Sequence, residues 1–206
     1  HGVKANISVR INPDIDAHTH KYVTTGLYEN KFGISNHEFD KLIEFIQKSE
    51  HINFIGLHFH IGSQITRVDE VFSLECKRVN EIVKYFESKG LTVRNINLGG
   101  GLGVDYDDPD GNPIADFKTW FNAIDRNIIR RADQTVHVEP GRSLVAQCAS
   151  LISRVLFVKS GETKNFLIMD AGMNDLIRPA LYGAYHKIEN LSAAQRSFFP
   201  TFQAYD

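Results

Sequence analysis

Strand-like and helix-like segments take turns along residues 1–148, and few folds accept that grammar. Ile7-Ser8-Val9-Arg10-Ile11 alternates with period two and stops at Asn12-Pro13. Ser35-x-x-Glu38 has the form of a capping box ahead of one helical stripe, Phe39, Leu42, Ile43 and Ile46. Phe54 to Ile61 reads as a second strand, and Val79, Ile82, Val83 and Phe86 mark a second helix ending by Gly90. Val93 to Leu98 is a third strand running into Gly99-Gly100-Gly101. Phe117, Trp120, Phe121, Ile124 and Ile128 stripe a third helix, and Thr135 to Glu139 is a fourth strand. Repeated βα units predict a parallel sheet with helices outside it.

The two faces of the strands narrow the architecture. Ile55, Leu57, Phe59 and Ile61 share one face of the second strand, and Gly56, His58, His60 and Gly62 share the other. Val136 and Val138 oppose Thr135, His137 and Glu139, as Ile7, Val9 and Ile11 oppose Ser8, Arg10 and Asn12. A doubly wound sheet, covered on both faces, would be written in continuous apolar runs. One apolar and one polar face, with polar groups gathering at the carboxyl ends, predicts a TIM-type (β/α)8 barrel. Four βα units supply only about half of one, and a complete barrel takes about 250 residues against the 206 present. The expectation is the second half of such a barrel, from a longer protein or completed by another chain. Both ends fit that expectation: His1-Gly2-Val3-Lys4 carries no signal-peptide core, and Thr201 to Asp206 stops on a strand-like pattern.

Beyond residue 148 the pattern changes. Ser150 to Lys159 is rich in β-branched and aromatic residues, Ser160 to Lys164 is a turn, and Asn165 to Asp170 is another strand. A hairpin of this kind opens an antiparallel β domain, giving domains at 1–148 and 149–206. With 23 Lys and Arg against 25 Asp and Glu, the net charge is −2, which offers no footprint for nucleic acid. No apolar run approaches the roughly 20 residues of a membrane span. Cys76 and Cys148 stand far apart, as expected of a reduced, cytoplasmic protein.

Four strings carry chemistry. His58-Phe59-His60 puts two imidazoles on the polar face, and three readings compete. One is a divalent-metal pair joined by His137 and Glu139, as in hydrolytic barrels. Another is a hydrogen-bonded core histidine, and the third is a ring lying flat on a planar cofactor. Asn97 to Gly103 holds Gly99, Gly100 and Gly101, whose freed N–H groups suit a phosphate. It is not a dinucleotide fingerprint, because the third required position is Val104 or Tyr106. Glu139-Pro140-Gly141-Arg142 ends the fourth strand; its carboxylate pairs with Arg142 or faces a ring nitrogen, leaving the guanidinium for an anion. In Asp170 to Tyr182, Arg178 and Tyr182 lie in a loop-like stretch broken by Pro179, where Arg178 could clamp a carboxylate.

Taken together, these strings resemble the alanine-racemase-like barrel decarboxylases that use pyridoxal 5′-phosphate, and among them the branch acting on meso-diaminopimelate. The resemblance runs through Thr25-Gly26, Asn30 to Ile34, Gly56 to Gln64, Asn97 to Gly103, Glu139 to Arg142 and Asp170 to Tyr182. It implies that His60 stacks on the pyridine ring and that Ser63 lies near the phosphate. It implies further that Gly99, Gly100, Gly101, Gly141 and Arg142 bind the phosphate around Pro140, and that Glu139 faces the pyridine nitrogen. Arg142, Arg178 and Tyr182 would grip the far end of the substrate, with no metal required. The implied reaction gives L-lysine and CO2 in a homodimer with shared sites. The nearest alternatives act on ornithine or arginine, whose cationic ends call for acidic partners instead. The family's Schiff-base lysine belongs to the first barrel strand, and Lys4, Lys21 and Lys31 all fall in the wrong segments. Its proton-donating Cys-Glu-Ser motif has no match either, so this chain by itself is expected to be inactive.

Overall fold

The computed structural model describes residues 2–15 and 32–192. Lys21, Thr25, Gly26, Asn30 and Lys31 lie outside the described residues, as does everything from residue 193. Those described fall into two compact units. One lies within His1–Val104 and Ile114–Ala146, the other within Asp105–Pro113 and Gln147–Asp206.

The first unit is a parallel sheet ordered β1-β2-β3-β4. The strands are β1 (Ala5–Arg10), β2 (Ile52–His58), β3 (Asn95–Asn97) and β4 (Thr135–His137). Between them run α1 (Phe39–Lys48), α2 (Val68–Ser88) and α3 (Phe117–Asn127). The helices take the apolar face. Leu57, Phe59, Ile61 and Ile96 are fully covered, as are Phe72, Cys76, Val79 and Phe86 of α2 and Trp120 of α3. The rings of Phe72 and Trp120 meet at 5.4 Å, which joins α2 to α3 across the core. Removing this much apolar surface from water is the main stabilising term, at about 25 cal/mol per Å².

Local signals acted unevenly. Asp116 caps α3 by accepting the Thr119 N–H at 2.9 Å. The box expected at Ser35 does not form: the Ser35 side chain makes no capping bond, and a 3-10 turn at Asn36–Glu38 precedes α1. Tertiary packing of Phe39, Ile43 and Ile46 holds that helix instead.

The second unit contains a two-stranded antiparallel sheet, β5 (Val155–Ser160) with β6 (Asn165–Met169). Gly161 N–H closes the turn on the Lys164 carbonyl at 3.0 Å. The stretch expected to be loop-like at Arg178 is instead a short helix, α5 (Arg178–Tyr182). Pro179 sits in its first turn, where a missing N–H costs no hydrogen bond. Among the described residues no helix is long and apolar enough to cross a membrane.

Candidate functional site

Register decides what the polar face presents. Arg10 pairs with His58, His58 with Asn97 and Asn97 with His137, so one row of polar residues crosses the carboxyl ends of all four strands. The ladder continues past the strand ends. Phe59 N–H donates to the Asn97 carbonyl (2.7 Å), Leu98 N–H to His137 (2.9 Å) and Glu139 N–H to Gly99 (2.6 Å). Two residues onward, on the same face by the period of two, stand His60, Gly99 and Glu139.

A net of short bonds ties these groups together. Asn97 spends both ends of its amide here. Its Nδ2 donates to Glu139 Oε1 at 2.7 Å, and its Oδ1 accepts the Gly99 N–H at 2.8 Å. Gly100 N–H donates to His60 Nδ1 at 3.2 Å. His58 Nε2 faces Glu139 Oε1 at 3.7 Å, beyond hydrogen-bond reach, and is buried without a hydrogen-bond partner among the described residues.

The glycines are required by close approach. A Cβ on Gly99 would stand 2.3 Å from the Phe59 carbonyl oxygen, and one on Gly100 would stand 2.1 Å from that of Glu139. Gly99 and Gly101 also hold φ of 68° and 108°, where side chains are strained.

Burial disfavours the charged forms of His58 and His60. Burial lowers the pKa of His58, the nearby Arg10 guanidinium adds to the effect, and Glu139 opposes it. His60 is lowered by burial first and then by Arg10. A neutral His60 agrees with its geometry, since Nδ1 can accept the Gly100 N–H only through a free lone pair.

The structure therefore gathers His60, Gly99, Gly100, Gly101 and Glu139 at one end of the sheet. Two expectations change in detail. The Glu139 side chain is 55% exposed. It is held by Asn97 rather than by Arg142, whose Nη1 instead reaches Gln64 Oε1 at 3.3 Å. The N–H groups of Gly99 and Gly100 are engaged within the chain, which leaves that of Gly101 for an anion. Ser63 is half-buried beside Gln64, and Gly141 caps the short α4 (Arg142–Val145) with open space at its Cβ position. Arg178 and Tyr182 belong to the second unit and are half-buried there. Among the described residues no three His, Cys, Asp or Glu side chains are grouped to hold a metal ion, so the reading built on His58, His60 and His137 finds no ligand set.

Sequence reasoning missed three groups. Asn97 was visible only as the first residue of the string that holds the glycines. Gln64 sits at φ 60°, a strained conformation for a non-glycine, and bonds both backbone groups of Val104 through its side chain. Ser143 Oγ is buried at the start of α4 without a hydrogen-bond partner among the described residues. A glutamine held left-handed has no sequence signal. Cys76 is excluded as a reactive thiol, because burial pushes it up to about 12.

The chain is similar to known proteins over most of its length. Residues 1–146 match the family described as pyridoxal-dependent decarboxylase, pyridoxal binding domain. The chain is 51% identical over 191 residues to diaminopimelate decarboxylase of Bacteroides thetaiotaomicron, covering 93% of this chain and 49% of that protein. It is 45% identical over 188 residues to the Pseudomonas aeruginosa enzyme of the same name, covering 91% of this chain and 44% of that one. The crystal structure of Helicobacter pylori diaminopimelate decarboxylase complexed with L-lysine superposes with a TM-score of 0.79 at 38% identity. That match covers 94% of this chain and 47% of the other. The chain thus spans about half the length of the curated relatives it matches.

Proposed function

Since this chain belongs to the pyridoxal-dependent decarboxylase family, we propose that it is part of an enzyme converting meso-2,6-diaminopimelate to L-lysine and CO2. The cofactor of the family is pyridoxal 5′-phosphate, and the residues present fit it. The Gly101 N–H makes no backbone hydrogen bond among the described residues, the Ser143 hydroxyl is buried without a partner among them, and Gly141 leaves open space. Those are the marks of an anion cradle. A neutral imidazole at His60 and a carboxylate at Glu139 supply a flat apolar face and an acceptor beside it.

When bound, pyridoxal phosphate supplies an electron-withdrawing ring that takes up the electron pair left as CO2 departs. The chain's own residues prepare that event. Glu139, steadied by Asn97, would hold a proton on the ring nitrogen. His60, fixed by Gly100, would cover one face of the ring and exclude water from it. The amides of Gly101, Gly141 and Arg142, with Ser63 nearby, would receive the phosphate. Arg142, Arg178 and Tyr182 each have donors suited to an anionic group.

The observation that carries this reading is the convergence of His60, the glycine bend and an Asn97-anchored Glu139. The guanidinium groups favour a substrate with a distal carboxylate over ornithine or arginine, whose ends are cationic. A homodimer with shared sites and a cytoplasmic location follow as part of the same proposal. The test is turnover by the full-length protein with pyridoxal phosphate. Lysine is expected from meso-diaminopimelate, and preference for ornithine or arginine would overturn the substrate assignment.

A further inference from the structure

Arg178 is held by two aromatic groups that no motif pointed to. Its guanidinium carbon lies 4.4 Å from the centroid of the Tyr106 ring. Its Nη1 lies 3.0 Å from His186 Nε2. The Tyr106 and His186 rings meet edge-to-face at 5.1 Å and 67°. Each of the three groups thus touches the other two, within a single compact unit. The backbone arranges this closure. Gly183 ends α5 at φ 59°, Ala184 N–H returns to the Arg178 carbonyl at 3.3 Å, and the chain brings His186 back over the start of the helix.

The chemistry of the guanidinium turns this arrangement into a directional statement. Arginine has donors only, so His186 Nε2 must accept and be unprotonated. One of the two Nη1 hydrogens is therefore engaged. Nε is shielded from solvent and has no hydrogen-bond partner among the described residues. A carboxylate can meet an arginine end-on through both Nη atoms, or side-on through Nε and Nη2. The bond to His186 uses one of the two Nη1 hydrogens and fixes the plane of the fork. The orphaned Nε, whose single hydrogen has no acceptor among the described residues, calls for the second option, because a buried donor without an acceptor is costly.

We propose that Tyr106 and His186 are positioning residues that hold Arg178 to receive a ligand carboxylate side-on through Nε and Nη2. This rests on the diaminopimelate reading, in which the group received is the distal carboxylate of the substrate. That carboxylate survives decarboxylation as the carboxylate of L-lysine, whereas 1,5-diaminopentane lacks it. The pair of ligands isolates the contact without any turnover.

The experiment uses the full-length holoenzyme carrying Tyr106→Leu, Tyr106→Phe, His186→Ala, His186→Gln or Arg178→Ala. It reads KM and kcat for meso-diaminopimelate, together with calorimetric Kd for L-lysine and for 1,5-diaminopentane. Tyr106→Leu and His186→Ala should each raise KM and the L-lysine Kd about five-fold, with kcat changed less than about two-fold. Binding of 1,5-diaminopentane should not change. Tyr106→Phe keeps the ring face and His186→Gln keeps an acceptor, so both should stay near the parent protein. Should Tyr106→Leu fail to fold, the His186 pair decides. Parent-like L-lysine affinity in Tyr106→Leu and His186→Ala, with affinity lost in Arg178→Ala, would overturn the positioning role. Equal weakening of both ligands would overturn it too. A protein that prefers L-lysine to 1,5-diaminopentane yet turns over no diaminopimelate would instead sink the functional reading, and the L-lysine Kd values would still judge Tyr106 and His186.

Discussion

Asn97 links two parts of the site that would otherwise be independent, the carboxylate of Glu139 and the first glycine of the bend. Replacing it by alanine strands a donor on one side and an acceptor on the other. Asn97→Ala in the full-length protein should weaken pyridoxal phosphate binding about ten-fold, from the loss of hydrogen bonds of about 1 kcal/mol each. Absorbance titration measures it, and an unchanged Kd would show that Glu139 holds its place alone. Glu139→Gln tests the acceptor itself. Lysine formation should fall by about 10²-fold or more while the cofactor still binds, the range expected when a positioned proton-holding group is lost. His60, Glu139 and the glycines were legible because each sits in a compact string. Asn97, Gln64, Tyr106 and His186 were not, because their roles are made by partners remote in sequence. Nothing local distinguishes an asparagine that reaches Glu139 from one that does not.

Helix α2 shows a different balance, between a stripe that reads correctly and one residue that contradicts it. Glu75 is 1% exposed and neither of its carboxylate oxygens has a hydrogen-bond partner among the described residues. Burial raises its pKa well above the ordinary carboxylate value. The folded state therefore keeps a proton that the unfolded chain releases. With fewer protons on the unfolded state, stability must fall as pH rises from the ordinary carboxylate range towards the folded-state pKa. Glu75→Met removes both the orphaned oxygens and this slope. It should stabilise the chain by about 1–3 kcal/mol at neutral pH. The gain should shrink on acidification, as denaturant titrations of variant and parent at several pH values would report. A gain independent of pH would mean that the carboxyl is not protonated in the fold. Burial of α2 was legible from its apolar spacing. A carboxyl group inside that burial was not, because periodicity records which positions face inward and not what each position tolerates.

Each unit, taken by itself, exposes apolar side chains or strand edges. Among the described residues β1 and β4 each have one neighbour in the sheet. A groove of about 470 Å³ between α3 and the outer face of β4 is lined by Phe121, Ile124, Ile128, Val136 and Val138. Strand β5 is exposed along its whole length, with Phe157 at 70%. Open edges and apolar faces of this kind template association. The 206-residue chain on its own should bind a hydrophobic dye and form ever larger species with rising concentration, and the full-length protein should bind no dye and grow no further than its dimer. Sedimentation velocity settles it: a monomeric 206-residue chain that binds no dye would show that these faces are satisfied as they stand.

Alternating βα punctuation, one apolar and one polar face per strand, and the hairpin after residue 148 are properties of neighbouring residues. The order of amino acids alone could therefore dictate them. Parallel register, which places Arg10, His58, Asn97 and His137 in one row, pairs residues that are far apart along the chain. So do the clasp of Asn97 on Glu139 and the seating of Arg178 between Tyr106 and His186. These depend on which distant backbones come to lie side by side, and packing decides that only when the whole core closes.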